Sequence, residues 1–385
     1  MDQEHFINKM DNMLSDGYTK KFARYYLMLL EQEENCGLFN KEYMKWAHSH
    51  GFLAENALSY QLTEANYKNY LSDYDYYRIW PLNSWARIWI NDKLTLRYML
   101  EDEKFRKFMP EYYFYTSTDG LRKLIDTPNE GQDYCAFFEL LKKKKRFACK
   151  PCNGSGAQGF FKISFDGKQY YLNKKLRTKE GIVEFIDEHP NYLFTEYLYP
   201  NDYFQKISPQ IHTLRLVVLN ETGCKPMLVR GGYLRFATEA HGEANHLNSA
   251  EECLAQYDLV TEVDVDTGEF GNARAVFKNR IDDVEIHPDT GRPLCGKIPE
   301  WEQVKRCVYD ISKRLFYEEY MGFDIGITDK GIKIMEINSH PGIKYMQIYR
   351  PFLKDPELKR YFHKKISVID KLSKEEKKIR ENIPR

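Results

Sequence analysis

The chain has 385 residues, 42% of them hydrophobic and 30% charged, so it can bury a sizeable core and is long enough for two or three domains. Fifty-seven basic residues balance fifty-seven acidic ones, and no overall field draws the chain to nucleic acid or to an anionic membrane. Its longest apolar runs, such as Tyr25 to Leu30 and Leu214 to Leu219, fall far short of the roughly 18 residues of a membrane span, and Met1 to Lys20 is too polar for a secretory leader, so the cytoplasm is the expected location.

Residues 1–90 are predicted to be mainly helical and form an N-terminal accessory region; Lys20 to Gln32, for example, carries apolar residues at helical spacing. Within it, and again at EYYFYTS (111–117), tyrosines concentrate, as in YDYYRIW (74–80). Such residues can stack on sugar rings or bases, or serve as half-buried packing with a wet hydroxyl. Asn91 or Asp92 is placed to cap the helix LTLRYMLED (94–102).

From Phe147 the texture changes to short β segments: FACK (147–150), a glycine loop, FFKISF (160–165), a turn at Asp166-Gly167 and KQYYL (168–172). A helix is predicted from a Thr178 cap to Glu188, stopped by Pro190, and is followed by the strand YLFTEYL (192–198). Strands TLRLVVLN (213–220) and KPMLVRGGYLRF (225–236) come next, and the long stretch 239–299 is predicted to hold more strands. A helix around Glu300 to Tyr320 precedes FDIGIT (323–328), a DKG loop and IKIMEIN (332–338). Residues 355–385 read as one charged helix or tail.

The segment CKPCNGSGAQGFFKI (149–163) poses a choice between thiol and phosphate chemistry. Eight cysteines are scattered through the chain, which fits reduced thiols, and only Cys149 and Cys152 lie close together. No second Cys-x-x-Cys or His pair accompanies them for zinc, and a redox pair would open a helix, whereas Cys149 ends a strand. Glycines 154, 156 and 159 instead let backbone N–H groups approach anionic oxygens, with Lys150 adding a positive charge at the loop's base. The loop lacks the Gly-Lys-Ser/Thr of a P-loop, and a strand follows it rather than a helix, so strand, glycine loop and strand are expected to form a flap over a nucleotide.

In FDIGITDKGIKIMEINSHPG (323–342), a three-residue Asp329-Lys330-Gly331 loop puts Asp324 opposite Glu336, and alternation returns Asn338 to the same face. Two carboxylates and an amide oxygen form a hard-oxygen set suited to Mg²⁺; a half-polar edge hairpin is the other reading.

These segments together resemble the ATP-grasp superfamily of carboxylate–amine ligases, and within it the sugar-transfer-associated group, over about Asn91 to Pro351. The resemblance implies an α+β ATP-grasp fold, two α+β subdomains clasping ATP, preceded by the helical region. The ATP-grasp domain would span 91–354, with a lid at about 108–198 and a catalytic subdomain at about 199–354. It implies nucleotide binding by Lys93, Lys150, Gly154, Ser155, Gly156 and Gly159, with the TEYL segment (Glu196, Tyr197, Leu198) meeting the adenine edge, and metal binding by Asp324, Glu336 and Asn338. Arg235 would hold the triphosphate or acyl phosphate, and Asn245 would help shape the active site. HTLRLVV (212–218), HPDTGRPLCGKIPEW (287–301) and NSHPG…Q, ending at Gln347, favour the sugar-associated branch. A double glycine expected after Asn245 is replaced by His246-Leu247-Asn248-Ser249.

The resemblance implies ATP and Mg²⁺ as cofactors and a ligase that joins a small-molecule or glycan carboxylate to an amine, such as an amino acid or amino sugar, through an acyl phosphate. The implied setting is bacterial surface-polysaccharide (capsule) biosynthesis, in which contact with polysaccharide-synthesis enzymes is compatible. Arg215 is placed to pair with the substrate carboxylate or to form an exposed salt bridge. A phosphotransferase on the same fold and a non-catalytic nucleotide-binding module are the alternatives.

Overall fold

The structure, a computed structural model, describes residues 3–128, 133–154, 159–239 and 256–383. Ser155, Gly156 and Asn245 lie outside the described residues. Helices fill the first 110 positions, the longest being Gln3–Ser15, Lys20–Cys36 and Lys41–Ser49. Short polar side chains start them: Thr19, Asn40 and Ser72 each accept a backbone N–H of the helix they precede, satisfying groups that have no intrahelical partner. Asp92 does the same for Lys93–Met99, accepting from the Thr95 N–H at 2.7 Å. No helix among the described residues is long and apolar enough to cross a membrane.

Seven strands form the first sheet: β1 (Tyr112–Ser117), β2 (Gly120–Lys123), β3 (Arg146–Pro151), β4 (Phe161–Phe165), β5 (Tyr170–Leu172), β6 (Lys175–Arg177) and β7 (Tyr192–Glu196), in the order β2-β1-β7-β3-β4-β5-β6. Helices Tyr134–Lys144 and Lys179–Glu188 cover one face, and their apolar sides meet Phe114, Phe147, Ile163 and Phe194 in a separate core. Thr178 caps the second helix, as its sequence predicts.

Nine strands form the second sheet: β8 (Thr213–Leu219), β9 (Met227–Leu228), β10 (Gly232–Phe236), β11 (Tyr257–Val263), β12 (Glu269–Phe277), β13 (Ile281–Asp283), β14 (Gly296–Lys297), β15 (Tyr320–Thr328) and β16 (Gly331–Asn338). The segment 225–236, expected as one strand, is two. Gly231, at φ +95°, breaks it, and there a Cβ would press on the Met346 carbonyl and the Arg350 side chain at 3.2 Å. Strands β11 to β14 occupy part of 239–299, the long stretch in which more strands are expected.

Alternation along β8 explains how both faces of this sheet are buried. Leu214, Leu216 and Val218 meet helix Trp301–Arg314 on one side, while Val217 and Leu219 meet Tyr76, Ile79 and Phe362 on the other. The second cover is shared: N-terminal residues 71–82 and helix Pro356–Asp370 pack in one cluster. Asn83 fastens it, donating to the Tyr320 and Ser339 carbonyls at 2.6 and 3.0 Å and accepting from the Glu319 and Tyr320 N–H groups. The tail expected as one helix is two, Pro356–Asp370 and Lys374–Arg380. A capping box, Ser373 with Glu376, restarts the helix after Leu372.

Candidate active site

The two sheets meet at the β15–β16 hairpin. The Asp329 N–H donates to the Tyr199 carbonyl at 3.2 Å and the Asn201 N–H to the Ile327 carbonyl at 3.1 Å, so the chain leaving β7 lies along the hairpin. A cavity of about 270 Å³ opens between the sheets. The first sheet and its approach contribute Lys93, Lys150, Gly154 and the Glu196–Leu198 segment to its wall, and the second contributes Arg215, Arg235, Asp324 and Glu336.

Register puts the charged groups in one row. Arg215 on β8 faces Asp324 on β15, and Asp324 faces Glu336 on β16. The hairpin reaches this pairing by a route other than the one expected. Thr328 pairs with Gly331, so the loop is the two residues Asp329-Lys330, and the register slips by one between Asp324 and Ile325. Met335 is the extra residue of that bulge, which cancels the shorter loop and restores Asp324 to Glu336. It also leaves the Met335 carbonyl facing the first sheet, where Lys150 Nζ donates to it at 3.4 Å.

Each charge has a protein partner. Arg215 Nε and Nη2 donate to Asp324 Oδ1 and Oδ2 at 2.5 and 2.9 Å, a bidentate pair in the cavity wall. Both side chains are about nine-tenths buried, so the exposed salt bridge expected as one option for Arg215 is instead an internal one. Burial disfavours the Arg215 charge, but Asp324 and its neighbours outweigh it and push its pKa up. Lys93 Nζ lies 3.3 Å from Glu336 Oε2 and donates to the Gly154 carbonyl at 2.9 Å. Burial would raise the Glu336 carboxyl; Lys93, the Asn338 amide and Arg215 overcome it and hold the pKa down at about 2. Burial, then the Lys93 ammonium, pushes Lys150 down to about 8. Arg235 stands 4.0 Å from Asp258, which also accepts from the Tyr345 hydroxyl.

Asp324, Glu336 and Asn338 are brought together. Asn338 Nδ2 donates to Glu336 Oε1 at 3.0 Å and to Asp324 Oδ2 at 3.4 Å. A half-turn of the amide presents Oδ1 instead, so the three side chains fit a cation that takes hard oxygen donors and completes its shell with water or phosphate. Among the described residues no group of three or more His, Cys, Asp and Glu side chains is placed to hold a metal ion.

The loop and hinge residues divide. Gly154 lines the cavity, whereas Gly159, at φ +75°, turns the chain back into β4, where a Cβ would collide with the Tyr192 hydroxyl. Tyr197 and Leu198 line the cavity beside Glu196. The Glu196 carboxylate itself is engaged within the protein, by Lys330 at the hairpin tip and by the Glu111 N–H at 3.2 Å. These two cysteines are structural: Cys149 is buried in the core against the first sheet, and Cys152 Sγ donates to Asp92 Oδ2 at 3.1 Å, bracing the cap of the Lys93 helix. Burial, with Asp92, pushes the Cys152 thiol up to about 12, and burial pushes Cys149 up as well, so neither is poised as a thiolate.

Lys330, Asp258 and the Met335 carbonyl join the site without a signal in the sequence that marks them as site residues. Lys330 was visible only as a turn residue, and Asp258 and Tyr345 come together across 87 positions with no local signal. The bulge had no composition cue, since its extra residue is an ordinary apolar one.

Two sheets clasping a cavity lined with lysines, arginines and paired carboxylates define a nucleotide-clasping α+β protein. Residues 83–357 match the family described as sugar-transfer associated ATP-grasp, and the chain belongs to that family. Membership supports ATP binding, an ATP-grasp fold and ATP-dependent ligase activity. No curated protein matches the chain. Similar solved structures include D-alanyl-alanine synthetase A from Vibrio cholerae, 13% identical at a TM-score of 0.41 over 73% of this chain and 67% of that one. They also include D-alanine–D-alanine ligase from Bacillus anthracis, 12% identical at 0.35 over 78% and 70%. N5-carboxyaminoimidazole ribonucleotide synthetase from Thermotoga maritima is 11% identical at 0.33 over 66% and 43%. At these values the likenesses carry no conclusion about reaction or substrate.

Proposed function

We propose that the protein is an ATP- and Mg²⁺-dependent carboxylate–amine ligase that modifies a uronic acid, sugar or glycan in surface-polysaccharide biosynthesis. The observation that carries this is the convergence of Lys93, Lys150 and Arg235 with Asp324 and Glu336 in one cavity between two sheets. Three cations suit a triphosphate, and the carboxylates across from them suit the cation that accompanies it.

Lys93 and Lys150 bind the phosphates from the lid side and Arg235 from the other, so most of the catalytic effect is positioning and charge neutralisation. Asp324, Glu336 and Asn338 would hold Mg²⁺, which would supply positive charge against the phosphates. The backbone of Tyr197 and Leu198 meets the adenine edge, because the Glu196 carboxylate is already occupied by Lys330 and the Glu111 N–H. The substrate carboxylate attacks the γ-phosphorus, forming an O–P bond as ADP leaves. The amine then forms a C–N bond, the C–O bond to phosphate breaks, and inorganic phosphate and the amine's proton depart. Arg215 lines the cavity and engages Asp324 through Nε and Nη2, and its Nη1 would be the group to meet the substrate carboxylate.

Hydroxylamine offered as the amine, with ATP, Mg²⁺ and glucuronic or galacturonic acid, tests the reading. A hydroxamate formed in step with ADP is expected. A stable phosphorylated sugar that needs no amine would overturn the ligase in favour of a phosphotransferase.

A further inference from the structure

The two arginines of the cavity wall meet their carboxylates differently. Arg215 is locked to Asp324 at two points, 2.5 and 2.9 Å, whereas Arg235 Nη1 stands 4.0 Å from Asp258 Oδ1. The sheet puts the second pair within reach of a closer contact. Arg235 on β10 faces Val260 on β11, and Asp258, two residues before Val260, shares that face by alternation. An arginine and a carboxylate so placed often settle into a two-point contact, because the guanidinium fork matches both oxygens.

A tyrosine engages the second oxygen. The Tyr345 hydroxyl donates to Asp258 Oδ2, while Oδ1 is the oxygen that Arg235 Nη1 faces. Tyr345 is itself firmly placed. Its ring meets Tyr233 edge-on at 5.3 Å, and its helix, Lys344–Tyr349, is pinned along its length. Lys344 pairs with Glu55, and the Tyr349 hydroxyl donates to the Val260 carbonyl at 3.0 Å. Between them the buried Gln347 accepts the Leu71 N–H at 2.9 Å and donates to the Leu71 carbonyl at 3.0 Å. Glu55 and Leu71 belong to the N-terminal helical region, so that region holds the helix that begins just beyond Asn338.

We propose that Tyr345 is a positioning residue for the nucleotide: by holding Asp258 Oδ2 it keeps the carboxylate from closing on Arg235, so that the guanidinium stays turned to the cavity and meets the terminal phosphate. This rests on the reading of Arg235 as a phosphate ligand. Asp258 then supplies counter-charge without capturing the arginine. Without the hydroxyl, both carboxylate oxygens turn to the guanidinium and draw it from the cavity into a two-point pair.

The test is isothermal titration of the full chain, with Mg²⁺ and either ADP or the β,γ-imido analogue of ATP, read as the ratio of the two affinities. The analogue extends ADP by the terminal phosphate group alone, so the ratio reports on what meets that group. Wild type should favour the triphosphate. Tyr345→Phe keeps the ring against Tyr233 and should cut that preference about fivefold, the scale of one net hydrogen bond, with ADP affinity unchanged. Asp258→Asn removes the competing charge, so adding Tyr345→Phe to it should have no further effect. An unchanged preference in Tyr345→Phe overturns the proposal. So does a loss shared equally by ADP, the mark of a structural role, or the same fivefold loss in the Asp258→Asn background. A wild type that binds neither nucleotide sinks the ATP-dependent reading and this inference with it, whereas a silent Tyr345→Phe on a wild type that binds both sinks this inference alone. Because no group transfer is measured, a failed hydroxamate assay leaves it standing.

Discussion

Arg215 and Asp324 are cross-strand partners whose side chains form a two-point ion pair, 2.5 and 2.9 Å, inside the cavity wall. Asp324 therefore serves two claimants: the arginine that neutralises it here and the cation for which its oxygens are suited. Removing the arginine leaves a buried carboxylate without its counter-charge, which typically costs about 3–5 kcal/mol. Arg215→Met is expected to melt markedly lower than wild type, with much of the loss restored by Mg²⁺, since a cation that binds only the folded state stabilises it. A melting curve with and without saturating Mg²⁺ checks this. A loss that Mg²⁺ leaves unchanged would mean that Asp324 is a structural counter-ion and not a metal ligand.

Glu336→Gln keeps the size and hydrogen-bonding shape of the side chain while removing a charge paired with Lys93. The variant should fold, lose most ADP release and need more Mg²⁺. Asp329→Asn, at the hairpin tip, should titrate like wild type. ADP release measured against Mg²⁺ concentration separates the two, and equal impairment at the tip would move the metal site elsewhere.

Lys150 and the two cysteines beside it should behave differently. Lys150→Ala removes a preorganised cation from the phosphate side and should cost about 2–4 kcal/mol in kcat/KM for ATP. The Cys149→Ala, Cys152→Ala double variant should stay within a few-fold in turnover and lose stability instead, because Cys149 sits in the core against the first sheet and Cys152 braces Asp92. Steady-state kinetics alongside thermal melts tests both halves of the statement.

The pH response follows from Lys150, pushed down to about 8 by burial and by Lys93. Between about 8 and the usual lysine value of about 10.4 the unfolded chain binds more protons than the folded one, so this group's contribution to stability rises with pH across that window. Phosphate binding needs the protonated amine, so kcat/KM for ATP should fall as pH rises through about 8, opposite in direction to the stability term. Lys150→Arg should move the kinetic limb upward, because a guanidinium stays charged. A wild-type profile flat through pH 8 would show that Lys150 makes no charge-dependent contribution.

Local chemistry was the most legible part of the fold. Thr178 and Asp92 announce helix starts because a short oxygen-bearing side chain satisfies backbone N–H groups that nothing else can reach. The Ser373–Glu376 capping box was equally readable in SKEE, and it marks the helix restart that a reading of the tail by charge alone passes over. What lies between distant strands was not readable. Arg215 appears in the sequence as one cation on a strand, and only the β8–β15 register shows that it faces Asp324. Glu196 likewise reads as a hinge residue, yet its carboxylate is held by Lys330, 134 positions away. The row Asp324–Glu336–Asn338 is legible in the hairpin, although a three-residue loop is one residue too long and the bulge that compensates for the shorter one leaves no mark in the sequence.

That compensation means that Met335 stands outside the strand's alternation, with Ile334 and Glu336 on opposite faces as though they were neighbours. Met335 acts as a one-residue spacer, and many apolar residues could occupy its place with little effect. Deleting it would iron out the bulge and leave Ile334 opposite Ile325 and Glu336 opposite Asp324, so Glu336 and Asn338 would keep their face and Ile337 its place in the core; what would be lost is the Met335 carbonyl that Lys150 meets.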